Sequence, residues 1–161
     1  MVEWKRQRVE RTYRPGEGHE ATHGSLSDTL LRLIREESLR ERTVLDVGCG
    51  TGRLSFALAE EAGRIIGIDW SDQVIQQAWQ RVRTLGLGHI TFVCCDAERI
   101  EYCELGQIDM VVAHLCMSNE ILERAAAVLA PGRCVAFATL HRDQLRISVH
   151  RERQDHFIVN A

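Results

Sequence analysis

Residues 44 to 52 read VLDVGCGTG, an apolar run that breaks into three alternating glycines. Val44, Leu45 and Val47 have the character of a short buried strand. Gly48, Gly50 and Gly52 then permit a turn that residues with a Cβ would resist. Helix formers with apolar positions at Leu54, Ala57 and Leu58 follow, over residues 53 to 62. The glycines therefore join the end of a strand to the start of a helix, and a ligand lying flat against the backbone is the best reason for three of them.

The rest of the chain repeats this unit. Residues 27 to 40 carry Leu30, Leu31, Leu33 and Ile34 on one helical face, ahead of the first strand. RIIGID (64 to 69) is a second strand closed by an acid, and ITFVCC (90 to 95) a third, followed by Asp96. Between them Val74, Ile75, Ala78, Val82 and Leu85 predict a helix capped by Ser71 and stopped by Gly86 and Gly88. IDMVVAHL (108 to 115) is a fourth strand. A helix capped by Ser118 or Asn119 and ended by Pro131-Gly132 leads to CVAFATL (134 to 140), the fifth.

Apolar strands that do not alternate, separated by helices, predict an α/β fold: a doubly wound, Rossmann-like, mostly parallel sheet with helices on both faces. Ligands of such sheets bind beyond the carboxyl ends of the strands. Gly48 to Gly52, Asp69, Trp70, Asp96, Ala97, His114 and His141 stand there.

At 161 residues and 45% hydrophobic composition the chain is long enough for one domain with its own core. Residues 1 to 24, polar and glycine-containing, are expected to form an arm, and residues 25 to 161 the domain. The sequence has no run of 18 apolar residues and no signal-like start, so a cytoplasmic protein without membrane contact is expected. Its net charge of −3 disfavours nucleic acid as a partner. The six cysteines contain no C-x-x-C pair, and His19 and His23 lack a third ligand, so no metal site is expected.

Gly48, Gly50 and Gly52 follow G-x-G-x-G, not the G-x-G-x-x-G of dinucleotide folds, and Asp46 precedes them. A carboxylate there disfavours a pyrophosphate, and with it a nicotinamide-dependent oxidoreductase, and suits a cationic ligand. Asp69 is placed to accept from ribose hydroxyls and Asp96 from an exocyclic amine.

With these residues the chain resembles the class I S-adenosylmethionine-dependent methyltransferases. DVGCGTG is similar to their D/E-x-G-x-G-x-G motif, GIDWS to the acid after the second strand, and CDAE to the adenine-contacting acid after the third. LAPGR resembles their L-x-P-G-G turn, with Arg133 in place of the second glycine. The resemblance covers residues 44 to 140. It implies methyl transfer from S-adenosylmethionine, with S-adenosylhomocysteine as product, to a small-molecule acceptor by in-line displacement.

It also implies cofactor contacts from Asp46, Gly48, Cys49, Gly50 and Gly52 on the methionine side and Asp69 on the ribose. Trp70, Asp96 and Ala97 would serve adenine, the backbone of His114 the methionine amino group, and Tyr13 would close over the site from the arm. His114 and His141 are the candidate bases. The competing expectation is a cofactor-binding protein without turnover, because the family adds a crossover helix and two strands after the point reached at His141, and only twenty residues remain here. C-terminal strands shortened or missing are therefore expected after 141, with LRISV and HFIVN as a hairpin. The last parallel strand would then be exposed, and a homodimer or other partner would cover that edge.

Overall fold

The computed structural model describes residues 28–130, 132–141 and 144–151, with side chains for 30–130 and 132–138. The elements are α1 (Asp28–Arg35), β1 (Thr43–Val47), α2 (Arg53–Ala57), β2 (Arg64–Asp69), α3 (Asp72–Leu85), β3 (Ile90–Cys94), a 3₁₀ turn (Tyr102–Leu105), β4 (Met110–His114), α4 (Asn119–Val128), β5 (Cys134–His141) and β6 (Gln144–Arg151). They form one six-stranded sheet in the order β3-β2-β1-β4-β5-β6. β1 to β5 run parallel and β6 antiparallel to β5. No helix among the described residues is long and apolar enough to cross a membrane.

Alternation along the strands divides the core between two faces. Val44, Ile65, Ile90, Met110, Val112 and Ala136 pack under Leu30 and Ile34 of α1, Leu54 of α2 and Ile75, Ala78 and Val82 of α3. Leu45, Val47, Ile66, Ile68, Val111, Ala113 and Val135 pack under Tyr102 and under Ile121 and Ala125 of α4. Both faces are buried, which is why the strands read as continuous apolar runs. Each such Ile, Leu or Val contributes about 1.5 to 3 kcal/mol by leaving water.

Three sequence expectations change. The first helix ends at Arg35 instead of near residue 40, because Leu39 turns into the core and its carbonyl accepts from Arg42 N at 2.9 Å and Gly63 N at 3.3 Å. α2 is five residues long instead of ten. Its continuation loosens into turns in which Glu61 N reaches Leu58 O, and Ala62 is buried by them.

The third change is at the C-terminal side. LRISV is a strand and pairs antiparallel with β5, from Cys134↔Arg151 to His141↔Gln144, while its expected hairpin partner HFIVN lies outside the described residues. The last parallel strand is therefore not an exposed edge, and the argument for a dimer covering it falls with that expectation.

Arg133, the departure from the family's second glycine, has a role of its own. Its Nη2 lies 2.9 Å from Asp109 Oδ1, and Asp109, nearly buried, accepts Thr43 N at 2.9 Å through Oδ2. The pair ties the turn before β5 to the start of β1, at the end of the sheet away from the glycine loop. Arg133→Ala leaves that carboxylate without its counter-charge, and a loss of about 1 to 3 kcal/mol is expected in denaturant unfolding, with S-adenosylhomocysteine affinity unchanged.

Candidate functional site

β1 is the strand at which the order reverses, since its successor by sequence, β2, lies on one side and β4 on the other. The loops after β1 and β4 thus leave the sheet in opposite directions and open a crevice between them. The residues lining it come from the ends of β1, β2, β3 and β4.

Gly48, Gly50 and Gly52 have φ of 66°, 54° and 83°, all in the left-handed region. A Cβ on Gly48 would run into Cys116 Sγ, and one on Gly52 would lie 2.6 Å from Phe92 Cζ, whereas one on Gly50 would meet nothing within 4 Å. Two of the glycines are therefore required by packing, and the middle one faces open space. Cys116, in the loop after β4, fastens that loop to β1 by donating its thiol proton to Val47 O at 2.8 Å. Burial pushes the Cys116 thiol up to about 12 and the Cys49 thiol higher still, so both stay protonated at neutral pH.

Asp69 closes the loop from the other side. Its Oδ2 accepts Gly50 N at 2.9 Å and its Oδ1 accepts Ser71 N at 2.9 Å, so one carboxylate orients the middle glycine and the entry to α3. Each oxygen retains a lone pair for a further donor. Trp70, next in sequence, is 68% exposed, an unusual place for a large apolar ring and a suitable one for stacking.

Asp96 accepts Glu98 N through Oδ1 at 2.9 Å and faces Arg99 Nε at 3.3 Å. Tyr102, buried, donates its hydroxyl proton to Ala97 O at 2.8 Å. The Ala97 amide donates to no partner among the described residues.

Asp46 sits deeper. It is 1% exposed, on the α1–α3 face in register with Gly67 and Val112, and its Oδ2 accepts both Ser55 N at 3.0 Å and Ser55 Oγ at 2.6 Å. The carboxylate thereby holds α2 to the end of β1. Burial, opposed by the two Ser55 hydrogen bonds and reinforced by the Asp69 charge, raises its pKa from 3.8 to about 7.

The folded protein thus holds a proton that the unfolded chain releases, and this contribution to stability is full below pH 4 and lost as pH rises to 7. Asp46→Asn cannot ionise. Its stability advantage over the wild type should grow across that window by up to about 1.4 kcal/mol per pH unit and level off above it, as read by denaturant unfolding at several pH values.

His114 ends β4, beside Leu115, whose φ of 65° is one of two positive values outside glycine among the described residues. Strain of this kind collects at functional sites. Leu115 N reaches Ala138 O at 2.8 Å, level with the His114↔Ala138 pair. His141 lies three residues further along β5, about 10 Å beyond that level at 3.3 Å per residue, so the two candidate bases do not stand together. The His141 side chain and the whole of Tyr13 lie outside the described residues.

Sequence reasoning missed Ser55, Cys116 and Tyr102. Cys116 acts through Val47, 69 residues away, and Ser55 and Tyr102 through Asp46 and Ala97, nine and five residues back across a turn, and no local spacing marks such pairs. Arg124 and Ser118, which bind the loop after Asp96, were missed as its supports for the same reason.

Known proteins fit this geometry. The family model described as a methyltransferase domain matches residues 39–156. The ubiquinone biosynthesis O-methyltransferase of Bordetella avium is 34% identical over 112 residues, which are 66% of this chain and 46% of the relative. Among solved structures, a precorrin 8W decarboxylase from Methanobacterium thermoautotrophicum superposes with a TM-score of 0.63 at 26% identity, over 74% of this chain and 67% of the other. A SAM-dependent methyltransferase from Aquifex aeolicus gives 0.58 at 23% identity, over 71% and 67%, a likeness of fold.

The sheet order and crevice are those of the class I S-adenosylmethionine-dependent fold. The chain belongs to the methyltransferase domain family. It spans about half the length of the curated relatives it matches.

Proposed function

We propose that the chain binds S-adenosylmethionine in the crevice between β1 and β4 and transfers its methyl group to a small-molecule acceptor. The observation that carries this reading is the glycine loop: braced from beneath by Cys116, held from the side by Asp69, and open at Gly50. The donor set suits this cofactor. Asp69 offers lone pairs to two ribose hydroxyls, the exposed Trp70 ring offers a face to adenine, and Asp96 with the Ala97 amide complements the adenine edge. Asp46, behind the loop, supplies negative potential to a cationic ligand in its ionised form, while Ser55 keeps it from approaching directly.

When bound, the cofactor supplies a methyl group on a sulfonium, already a good leaving group. The protein's part is then alignment, which is worth about 7 to 11 kcal/mol when reacting atoms are held in line. The glycine loop and the β4 loop do this by leaving the sheet on either side of the crevice, fastened to each other through Cys116 and Val47. Leu115 and Met117, half-buried, exclude water on the acceptor side. An imidazole nitrogen of His114 takes the acceptor's proton where the acceptor is a hydroxyl.

An oxygen acceptor is favoured because the curated relatives are O-methyltransferases by name. Labelled S-adenosylmethionine offered with a panel of small phenols, amines and carbon acids tests this. Label appearing in a phenol product, reduced at least tenfold in His114→Ala, is expected. Binding of the cofactor with no labelled product from any acceptor would make the chain a binding protein without turnover.

A further inference from the structure

The turn after β3 is built on one carbonyl. Asp96 O accepts Arg99 N at 3.0 Å and Ile100 N at 2.9 Å, so residues 99 and 100 point their amides at the residue two places beyond the end of β3. The carbonyls of the same two residues are taken by one side chain from across the fold. Arg124 Nη2, on α4, lies 2.6 Å from Ile100 O and 3.4 Å from Arg99 O, and 3.2 Å from Glu101 Oε1. Residues 99 and 100 are thus held through their amides by Asp96 and through their carbonyls by Arg124.

α4 grips the turn a second time. Ser118, its N-cap, accepts Ile121 N at 3.2 Å and donates its hydroxyl proton to Glu98 Oε1 at 3.1 Å. From within, Tyr102 holds Ala97 O. The guanidinium is not placed for its own satisfaction. Arg124 Nε is buried without a hydrogen-bond partner, the one such side-chain atom among the described residues, and the orientation that strands Nε is the one that brings Nη2 to the turn. A buried N–H left unpaired is unfavourable, and the three Nη2 contacts are what offset it.

We propose that Arg124 is the positioning residue of this turn: by fixing the Arg99 and Ile100 carbonyls it sets where Asp96 and the Ala97 amide stand, and thereby the site's preference for a purine carrying an exocyclic amine. This rests on the S-adenosylmethionine reading above. Because only four residues separate the end of β4 from the start of α4, the same contacts also tie the purine side of the crevice to the loop on the acceptor side. Lysine cannot replace the arginine. All three contacts come from Nη2, which the planar guanidinium holds in a fixed direction at the end of a longer side chain, whereas lysine's ammonium ends short of that point and rotates freely.

The test is discrimination. S-adenosylhomocysteine and S-inosylhomocysteine, which carries a carbonyl in place of the exocyclic amine, are titrated calorimetrically into the wild type, Arg124→Lys and Arg124→Ala. The wild type should prefer the first, and the variants should lose about tenfold of that preference, as expected for one misplaced hydrogen bond. A merely structural role would lower the melting temperature and leave the ratio of the two affinities unchanged, and that result would overturn the proposal.

Hydrogen exchange in the ligand-free protein separates its failure from that of the cofactor reading. Amides 97 to 101 should exchange faster in Arg124→Lys than in the wild type, whether or not either nucleoside binds, and equal protection would also overturn it. Should Arg124→Ala not fold, Ser118→Ala, which releases the Glu98 contact, should show a smaller shift of the same sign in both readouts.

Discussion

Gly48→Ala is expected to lower the unfolding free energy by about 2 to 5 kcal/mol, the sum of left-handed strain and an overfilled site. The strain follows from a φ of 66°, and the overfilling from the position of Cys116 Sγ where the new methyl group must go. Gly50→Ala is the control. It has a similar φ of 54° but open space around the added carbon, so only the strain remains, about 1 to 2 kcal/mol. Denaturant unfolding of the two variants reads the difference directly. Equal losses would mean that Cys116 does not pack under the loop. In a double-mutant cycle, Cys116→Ala should recover part of the Gly48→Ala loss, because the two side chains compete for one volume.

The second large effect falls on binding instead of stability. Asp69→Ala should weaken S-adenosylhomocysteine binding by about 100- to 10,000-fold, as expected for two hydrogen bonds to a charged acceptor at about 1.5 to 3 kcal/mol each. The same change releases Gly50 N and Ser71 N, so the loop loses the brace that presents it. Asp69→Asn should fall between, since its single acceptor oxygen cannot serve both amides and a ribose. Calorimetry on the three proteins checks the order. A full-strength Asp69→Ala would remove Asp69 from the site.

The strands were legible because both faces of the sheet are covered, so that, Asp46 apart, Val44 to Val47, Ile65 to Ile68 and Met110 to Ala113 carry no polar side chain. α3 was legible because Val74, Ile75, Ala78 and Val82 repeat at helical spacing over fourteen residues and Gly86 ends it with a φ of 67°. α2 has five residues, too few for a period to show itself. What anchors it is the capture of Ser55 by Asp46, a contact between two elements. The pairing of β6 with β5 was missed for a related reason: LRISV is plainly a strand, but nothing local says that it takes β5 as a neighbour.

In the candidate site, the placement of the acids after β2 and β3 and of the three glycines after β1 was legible from order and spacing. Their supports were not. Cys116 under Gly48 and Arg124 under the turn after Asp96 are each specified by where two distant segments meet, and Tyr102 under Ala97 by the way the turn between them folds back. Arg133 could be seen only as a departure from a motif until Asp109 was found beside it.

The most direct test of the account is a calorimetric titration of the pure, folded protein with S-adenosylhomocysteine, with Asp69→Ala run beside it. The account predicts saturable binding at one site per chain in the wild type and its loss in the variant. A wild-type protein that unfolds cooperatively yet takes up none of the ligand would contradict it.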